Sequence, residues 1–283
     1  MRVLAVGVAT LDIVNRVAAY PKEDQELRAS AQQIRRGGNA CNTLTVLSRL
    51  GHEACWAGML ADDAASELIR RDLAASRVDT QWARVHPGGV TPTSYITSSQ
   101  ATGSRTIVHY RELPEYDDGH FSEVDLRPFD WLHFEGRNPQ ATEVMLKRAR
   151  QADTGAQISL ELEKPRAGLE GCLAYADVVM ISRAYALSKA CRDAERLFEM
   201  VRPMAGSALL YLAWGDQGAW LQTGDGDSRF MPAFEPSRVV DTLGAGDVFN
   251  AGVIHSLHQG DGPREALAYA IRIAGEKCAR EGL

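Results

Sequence analysis

Val239-Val-Asp-Thr-Leu-Gly-Ala-Gly-Asp-Val-Phe-Asn-Ala-Gly252 reads as an extended Val-Val piece, a glycine-rich turn, and a helix carrying Val248, Phe249, Val253, Ile254 and Leu257. A glycine turn at a helix start leaves backbone N–H groups pointing outward, and the helix dipole adds partial positive charge there. Phosphate oxygens, or charge built up during phosphoryl transfer, are natural occupants. Asp247 falls in the first turn, beside those amides; a carboxylate so placed is expected to be held as the anion, with a low pKa. On spacing alone the pattern fits a tight turn with an acidic helix start equally well. It is neither Gly-x-x-x-x-Gly-Lys-Ser/Thr nor Gly-x-Gly-x-x-Gly, so P-loop and dinucleotide readings are weakened.

Outward from this unit the chain alternates. Val3 to Val6 is a short apolar run ended by Gly7, the pattern of a strand covered on both faces. Further strands are expected at Ala54–Gly58, Phe129–Phe134, Gln157–Leu162, Asp177–Ile181 and Ala208–Ala213, with helices at Asn39–Leu50, Ala64–Ala75 and Ala141–Ala152. Such alternation predicts an α/β fold in three layers, α/β/α, around a mostly parallel sheet. Two polar, strand-like excursions, 13–34 and 91–111, break the rhythm. They are expected to pair outside the main sheet as a small β lid over the C-terminal strand ends, where ligands of such folds bind. The whole, residues 1–283, is expected to be one domain with that lid appended.

Composition narrows the function. The net charge of −6 gives no basic face of the kind a nucleic-acid binder carries. No apolar run of about 18 residues occurs, which argues against a membrane span. Five cysteines at 41, 55, 172, 191 and 278 include no Cys-x-x-Cys pair and read as free thiols in a reducing cytoplasm. The apolar start at Met1 reads as a strand, with no signal peptide.

A second group of polar residues suits a polyol. Gly37-Gly38 allows close backbone approach, and Asn39 and Asn42 lie three apart, on one helix face. Carboxamides both donate and accept, and Asp12, just after the first strand, can accept from two hydroxyls. Taken singly, Asn39 also reads as a helix N-cap and Asp12 as a turn residue. His255 and His258, also three apart, are spaced as a metal pair but have no third ligand nearby in sequence; packing is the expected role.

Asp241-Thr-Leu-Gly-Ala-Gly-Asp247 resembles the C-terminal signature of the ribokinase-like, PfkB-type carbohydrate kinases. Arg36-Gly-Gly-Asn-Ala-Cys-Asn42, followed by Leu47 and Leu50-Gly51, resembles their N-terminal signature. Within the family the chain is similar to the ketohexokinase branch over nearly its whole length. Tyr20–Asp24, Gly103–Ile107, Glu135–Asn138, Glu163–Arg166 and Ala213-Trp214 carry that likeness.

The resemblance implies an ATP-dependent kinase with Asp247 as base and the amides of Gly244, Ala245 and Gly246 as an anion hole. The sugar would be held by Asp12, Gly38, Asn39 and Asn42, with fructose phosphorylated at its 1-hydroxyl. Arg105 would reach the ATP phosphates, while Ala213, Trp214, Gly215 and Asp216 would line the nucleotide. Mg²⁺ is implied with ATP, and a monovalent cation such as K⁺ at Asp241 and Thr242. Two departures stand beside this. Ser182-Arg-Ala-Tyr185 takes the place of an Asn-x-x-Glu motif of many members, so Mg²⁺ ligands stay unassigned. The sequence closes at Leu283, short of a Phe-Asp-Gly ending of that branch, which leaves the K⁺ requirement open. Glu135, Arg137 and Asn138 are expected in the cleft. The resemblance also implies a homodimer clasped through the lid, with Val14, Val17, Ile96 and Ile107 at the contact. Two other readings remain: a kinase of the same family acting on another sugar, sugar phosphate or nucleoside, and a non-catalytic regulator that binds sugar or nucleotide.

Overall fold

The computed structural model describes residues 1–283. Strand β1 (Arg2–Val6) leads through Gly7 into β2 (Thr10–Val17) and β3 (Ala31–Gly37), and helix α1 (Asn39–Arg49) follows at once. Next come β4 (Glu53–Ala57), β5 (Met59–Ala61), α2 (Ala64–Ala75), β6 (Val78–Asp79) and β7 (Arg84–His86). The hairpin β8 (Thr93–Ser99) and β9 (Arg105–Tyr110) precedes the short α3 (Asp118–Phe121). Alternation then resumes with β10 (Trp131–Glu135), α4 (Pro139–Gln151), β11 (Gln157–Leu162), β12 (Val178–Ser182), α5 (Arg183–Ser188), α6 (Ala194–Ala205) and β13 (Leu209–Ala213). The chain finishes with β14 (Gly218–Gln222), β15 (Ser228–Pro232), α7 (Ala245–His258) and α8 (Pro263–Cys278).

The main sheet has nine strands in the order β15-β14-β13-β12-β11-β10-β1-β4-β6, parallel except for β14 and β15. Each central strand is covered on both faces, so successive residues enter different cores. In β1, Leu4 and Val6 belong to the core that includes Phe134, Leu160 and Phe198, whereas Val3 and Ala5 belong to the opposite core, with Trp56, Tyr211 and Phe249. This is the three-layer α/β/α fold expected from the alternation.

After β13 the chain adds two strands that the sequence reading did not assign. Gly218–Gln222 and Ser228–Pro232 form an antiparallel hairpin that occupies the sheet edge. Val239-Val240 is therefore not a sheet strand: it lies outside, exposed, with the Val240 N–H bonded to Cys278 O at 2.7 Å. Helix starts are locally coded: Asp63 and Asn138 cap α2 and α4, accepting from the Ser66 and Ala141 amides. The Asn138 side chain is thus engaged in capping, and Asn138 is absent from the cleft wall.

A separate four-stranded sheet, β3-β2-β8-β9, joins the two polar excursions. Its β2–β8 pairing is parallel, with Asp12 opposite Ser94. Strands present alternate side chains to opposite faces, so the row Arg35, Asp12, Ser94 and His109 crosses all four strands on the inner face. The outer face carries the row Ile34, Ile13, Tyr95 and Val108.

Candidate active site

A cleft of about 690 Å³ lies between the inner face of the small sheet and the C-terminal ends of the parallel strands. Asp12, Gly38, Asn39, Asn42, Arg105, Thr242, Gly244, Gly246 and Asp247 all line it, so residues 235 positions apart in sequence share one wall system. A second recess, of about 750 Å³, sits at the opposite strand ends beside Arg150, Asp177 and His258. There the Asp177 carboxylate already accepts from Arg150 and from the Ile158 amide.

Gly244 caps α7 in the left-handed region (φ 83°), with Ala245, Gly246 and Asp247 forming the first turn. The Ala245 amide turns back onto Thr242 O at 3.3 Å, whereas the Gly244, Gly246 and Asp247 amides have no protein acceptor. Donors left free at a helix start attract anions. The open amides are therefore those of 244, 246 and 247, and Ala245 does not belong with them.

Asp247 is 6% exposed, and its Oδ2 accepts from Asn42 Nδ2 at 2.7 Å. Asn42 is itself fixed: its Oδ1 accepts from Arg36, whose guanidinium also reaches Asp72 and Thr45. This Asp72–Arg36–Asn42 chain aims the amide N–H at Asp247, and it neutralises the Arg36 charge. Burial raises the Asp247 pKa to about 8; the Asn42 bond opposes the shift, and Glu163 and Glu135 add to it. The low pKa expected from the helix start is thus overturned. Desolvation by α1 and the sheet outweighs the local dipole, and the ionised carboxylate is a strong base.

Glu161, which sequence reasoning missed, lies at the floor. Its Oε1 accepts from Asn39 Nδ2 (3.1 Å) and Asn250 Nδ2 (3.0 Å), while Oε2 is buried with no partner. Burial first, then the Asp247 charge, raises its pKa well above the usual carboxylate range. A glutamate in a central parallel strand is the signal that could have found it, because such a group must have partners. Asn39 is the first residue of α1, after the Gly38 cap, so its side chain is free for the cleft. Asp12 Oδ1 accepts from Thr10 at 2.9 Å. Glu135, buried beside it in the cleft wall, accepts from the Val8 amide and from Arg137, which also binds Glu115.

Arg105 reaches across from β9 to Thr242 Oγ1 at 2.9 Å, over the glycine turn. Ala213 ends β13 beside Ser182, which lines the cleft. Trp214 is only 4% exposed and packs against Trp220 with Arg183 over its ring, so its indole is a core group. What that stretch presents outward is Gly215 and Asp216.

The oxygens expected to take a monovalent cation are already engaged by N–H donors. Asp241 Oδ1 accepts from the Leu243 amide, Oδ2 from Arg35 and the Gly282 amide, and its backbone O from Lys277 Nζ. Those residues do not fit K⁺. No group of three or more His, Cys, Asp or Glu side chains is arranged to hold a metal ion. That includes His255 and His258: a third imidazole, His52, does join them from α1's end, with Nε2 2.8 Å from His255 Nδ1, but as a packed ring cluster.

The pfkB family carbohydrate kinase model matches residues 2–283. The chain belongs to the PfkB family of carbohydrate kinases. This kinase is 38% identical to ketohexokinase of Mus musculus over 99% of its own length and 97% of the relative's. It is 29% identical to the ATP-dependent ribose-1-phosphate kinase of Halopiger xanaduensis, covering 100% and 93%. The ribokinase of Arabidopsis thaliana, solved with ribose and ATP, superposes with a TM-score of 0.80 at 19% identity, covering 99% and 93%. A PfkB kinase is a phosphotransferase acting on a sugar, and the non-catalytic reading is set aside by that membership.

Proposed function

We propose that this kinase transfers the γ-phosphoryl group of ATP to the 1-hydroxyl of a ketohexose, with fructose as the preferred acceptor. One observation carries the reading. The buried Asp247 carboxylate and the open amides of 246 and 247 face a wall of hydroxyl-binding groups, Asp12, Asn39 and Asn42. In this reading Asp247 takes the hydroxyl proton as the new O–P bond forms and the bond to the ADP oxygen breaks. The amides at 244, 246 and 247, with Arg105, stabilise charge on the transferring group. ATP would lie along Arg105, Gly244 and Gly246, toward Ala213, Gly215 and Asp216. Mg²⁺, which binds chiefly through phosphates in such reactions, would enter with the nucleotide and neutralise its charge.

The acceptor follows from charge pairing. Arg36 and Arg137 in the cleft are each paired with carboxylates, which favours a neutral sugar. A sugar phosphate is the second reading, favoured by Arg166 and Lys164 on the cleft wall, where Lys164 is only 3.7 Å from Glu163 and mostly exposed. An acceptor screen at fixed ATP, reading ADP release, decides: fructose should give the highest kcat/KM, and the product should carry phosphate on C1 by ³¹P NMR. Higher kcat/KM for a phosphorylated sugar or a nucleoside would replace fructose.

The outer face of the small sheet supports a homodimer. Ile34, Tyr95 and Val108 are 55%, 52% and 65% exposed along one row, an apolar stripe that a second copy would cover. The contact set differs from the expected one: Val17 and Ile96 are buried, and Val14 and Ile107 pair with Ile96 on the cleft face. Light scattering should give the mass of two 30.9 kDa chains, and Val108→Glu should give one. A monomeric wild type removes the dimer.

A further inference from the structure

We infer that the buried ammonium of Lys277 is the resident cation beneath the 241–247 loop, and that phosphoryl transfer by this kinase needs no added alkali cation. The inference deepens the proposed function and rests on that loop as the phosphate-binding element.

Lys277 stands in the last turn of α8, where a lysine normally extends into water and interacts with the helix C-terminus. Here it has no solvent exposure. Its Nζ donates to Asp241 O at 2.6 Å and lies 3.5 Å from Asp241 Oδ2. The Arg35 guanidinium approaches the same Oδ2 at 3.3 Å. Two positive groups therefore face one carboxylate, leaving a surplus positive charge at the base of the glycine turn. The loop is closed around this centre. The Leu243 amide donates to Oδ1, the Gly282 amide to Oδ2, and Val240 N to Cys278 O. Both Thr242 oxygens also meet an N–H donor: its carbonyl accepts from Ala245 and its hydroxyl from Arg105.

An alkali ion is held by several oxygens with lone pairs turned toward it. Each candidate oxygen here meets an N–H donor instead, and an added ion would sit against two fixed cations. The same positive charge is supplied by the side chain, without a dissociable ligand. Burial lowers the Lys277 pKa and the Asp241 carboxylate opposes that shift; the ion pair and the carbonyl bond are the features that hold the ammonium in place. Fixed charge behind a loop of amides stabilises the negative charge spread over the transferring group in the transition state, so Lys277 acts as a positioning and electrostatic residue through the loop, without touching the sugar.

The test uses the full-length enzyme in tetramethylammonium or potassium buffer at equal ionic strength. Wild-type turnover and melting temperature should be the same in both. Lys277→Gln, which keeps a donor and removes the charge, should lower kcat on the order of tenfold or more with the sugar KM little changed. Several-fold activation of the wild type by K⁺, or a Lys277→Gln enzyme with wild-type kcat, overturns the inference. If Lys277→Gln does not fold, the wild-type arms still decide. If no sugar yields ADP, the failure lies with the proposed function, and a K⁺-specific rise in wild-type melting temperature would still refute the resident ammonium.

Discussion

Asp247→Asn should abolish turnover, lowering kcat by about a thousandfold or more, while making the protein more stable at neutral and alkaline pH. The activity loss follows from removing the carboxylate that, in the proposed reaction, takes the hydroxyl proton. The stability gain follows from linkage. Burial lifts the Asp247 pKa to about 8 from an unfolded value of 3.8, so the folded chain holds a proton that the unfolded chain releases. Stability from this group is fully present below the unfolded value and is lost as pH rises through about 8. Asparagine keeps the oxygen that accepts from Asn42, never ionises, and relieves the charge against Glu161. The melting-temperature gain of the variant should therefore be small at pH 5 and grow toward pH 9. A variant with lost activity and lowered stability at every pH would mean that the carboxylate holds the fold together instead.

Gly38→Ala should destabilise the fold by about 3 kcal/mol or more, from combined backbone strain and overpacking. Gly38 has φ 102°, and a Cβ there would lie 2.1 Å from Val8 O and 2.9 Å from Ala9 Cα. Those are backbone atoms of the turn leaving β1, which cannot swing aside as a side chain could. Relief requires α1 to move away, carrying Asn39 and Asn42 with it, so sugar binding should weaken along with stability. Gly51→Ala is the control, since φ is also positive (90°) but nothing lies within 4 Å. It should cost only the dihedral strain, roughly 1 kcal/mol. Urea denaturation compares the two through their midpoints at constant m; equal losses would show that the close approach at Val8 is unimportant.

Much of this arrangement was legible in the sequence because it is locally coded. The helix at Ala64–Ala75 and the strand at Gln157–Leu162 end where their patterns end, since capping and burial act within a few residues. The two polar excursions do pair into a second sheet, and the residues of both glycine-bearing signatures do meet in one cleft. What local reading missed depends on distant chain. The β14–β15 hairpin was not assigned in the sequence, although Thr223-Gly-Asp-Gly-Asp227 supplies its turn. Asp247 was assigned a low pKa from its helix start, whereas burial by α1 and the sheet reverses the shift. Glu161 sits in a strand that reads as a half-polar face, but its carboxylate points at Asn39 and Asn250, which come from distant chain. Lys277 at a helix end reads as an exposed cation; only the return of the chain past Asp241 buries it.

The central claim is that one buried carboxylate receives a proton from a sugar hydroxyl held against the α7 amides. A crystal structure with fructose and a non-hydrolysable ATP analogue tests this most directly. The account predicts the acceptor oxygen within about 3 Å of the Asp247 carboxylate, the sugar's other hydroxyls on Asp12, Asn39 and Asn42, and the terminal phosphate at the Gly246 and Asp247 amides. A sugar bound elsewhere, or one whose reacting hydroxyl is turned away from Asp247, would contradict it.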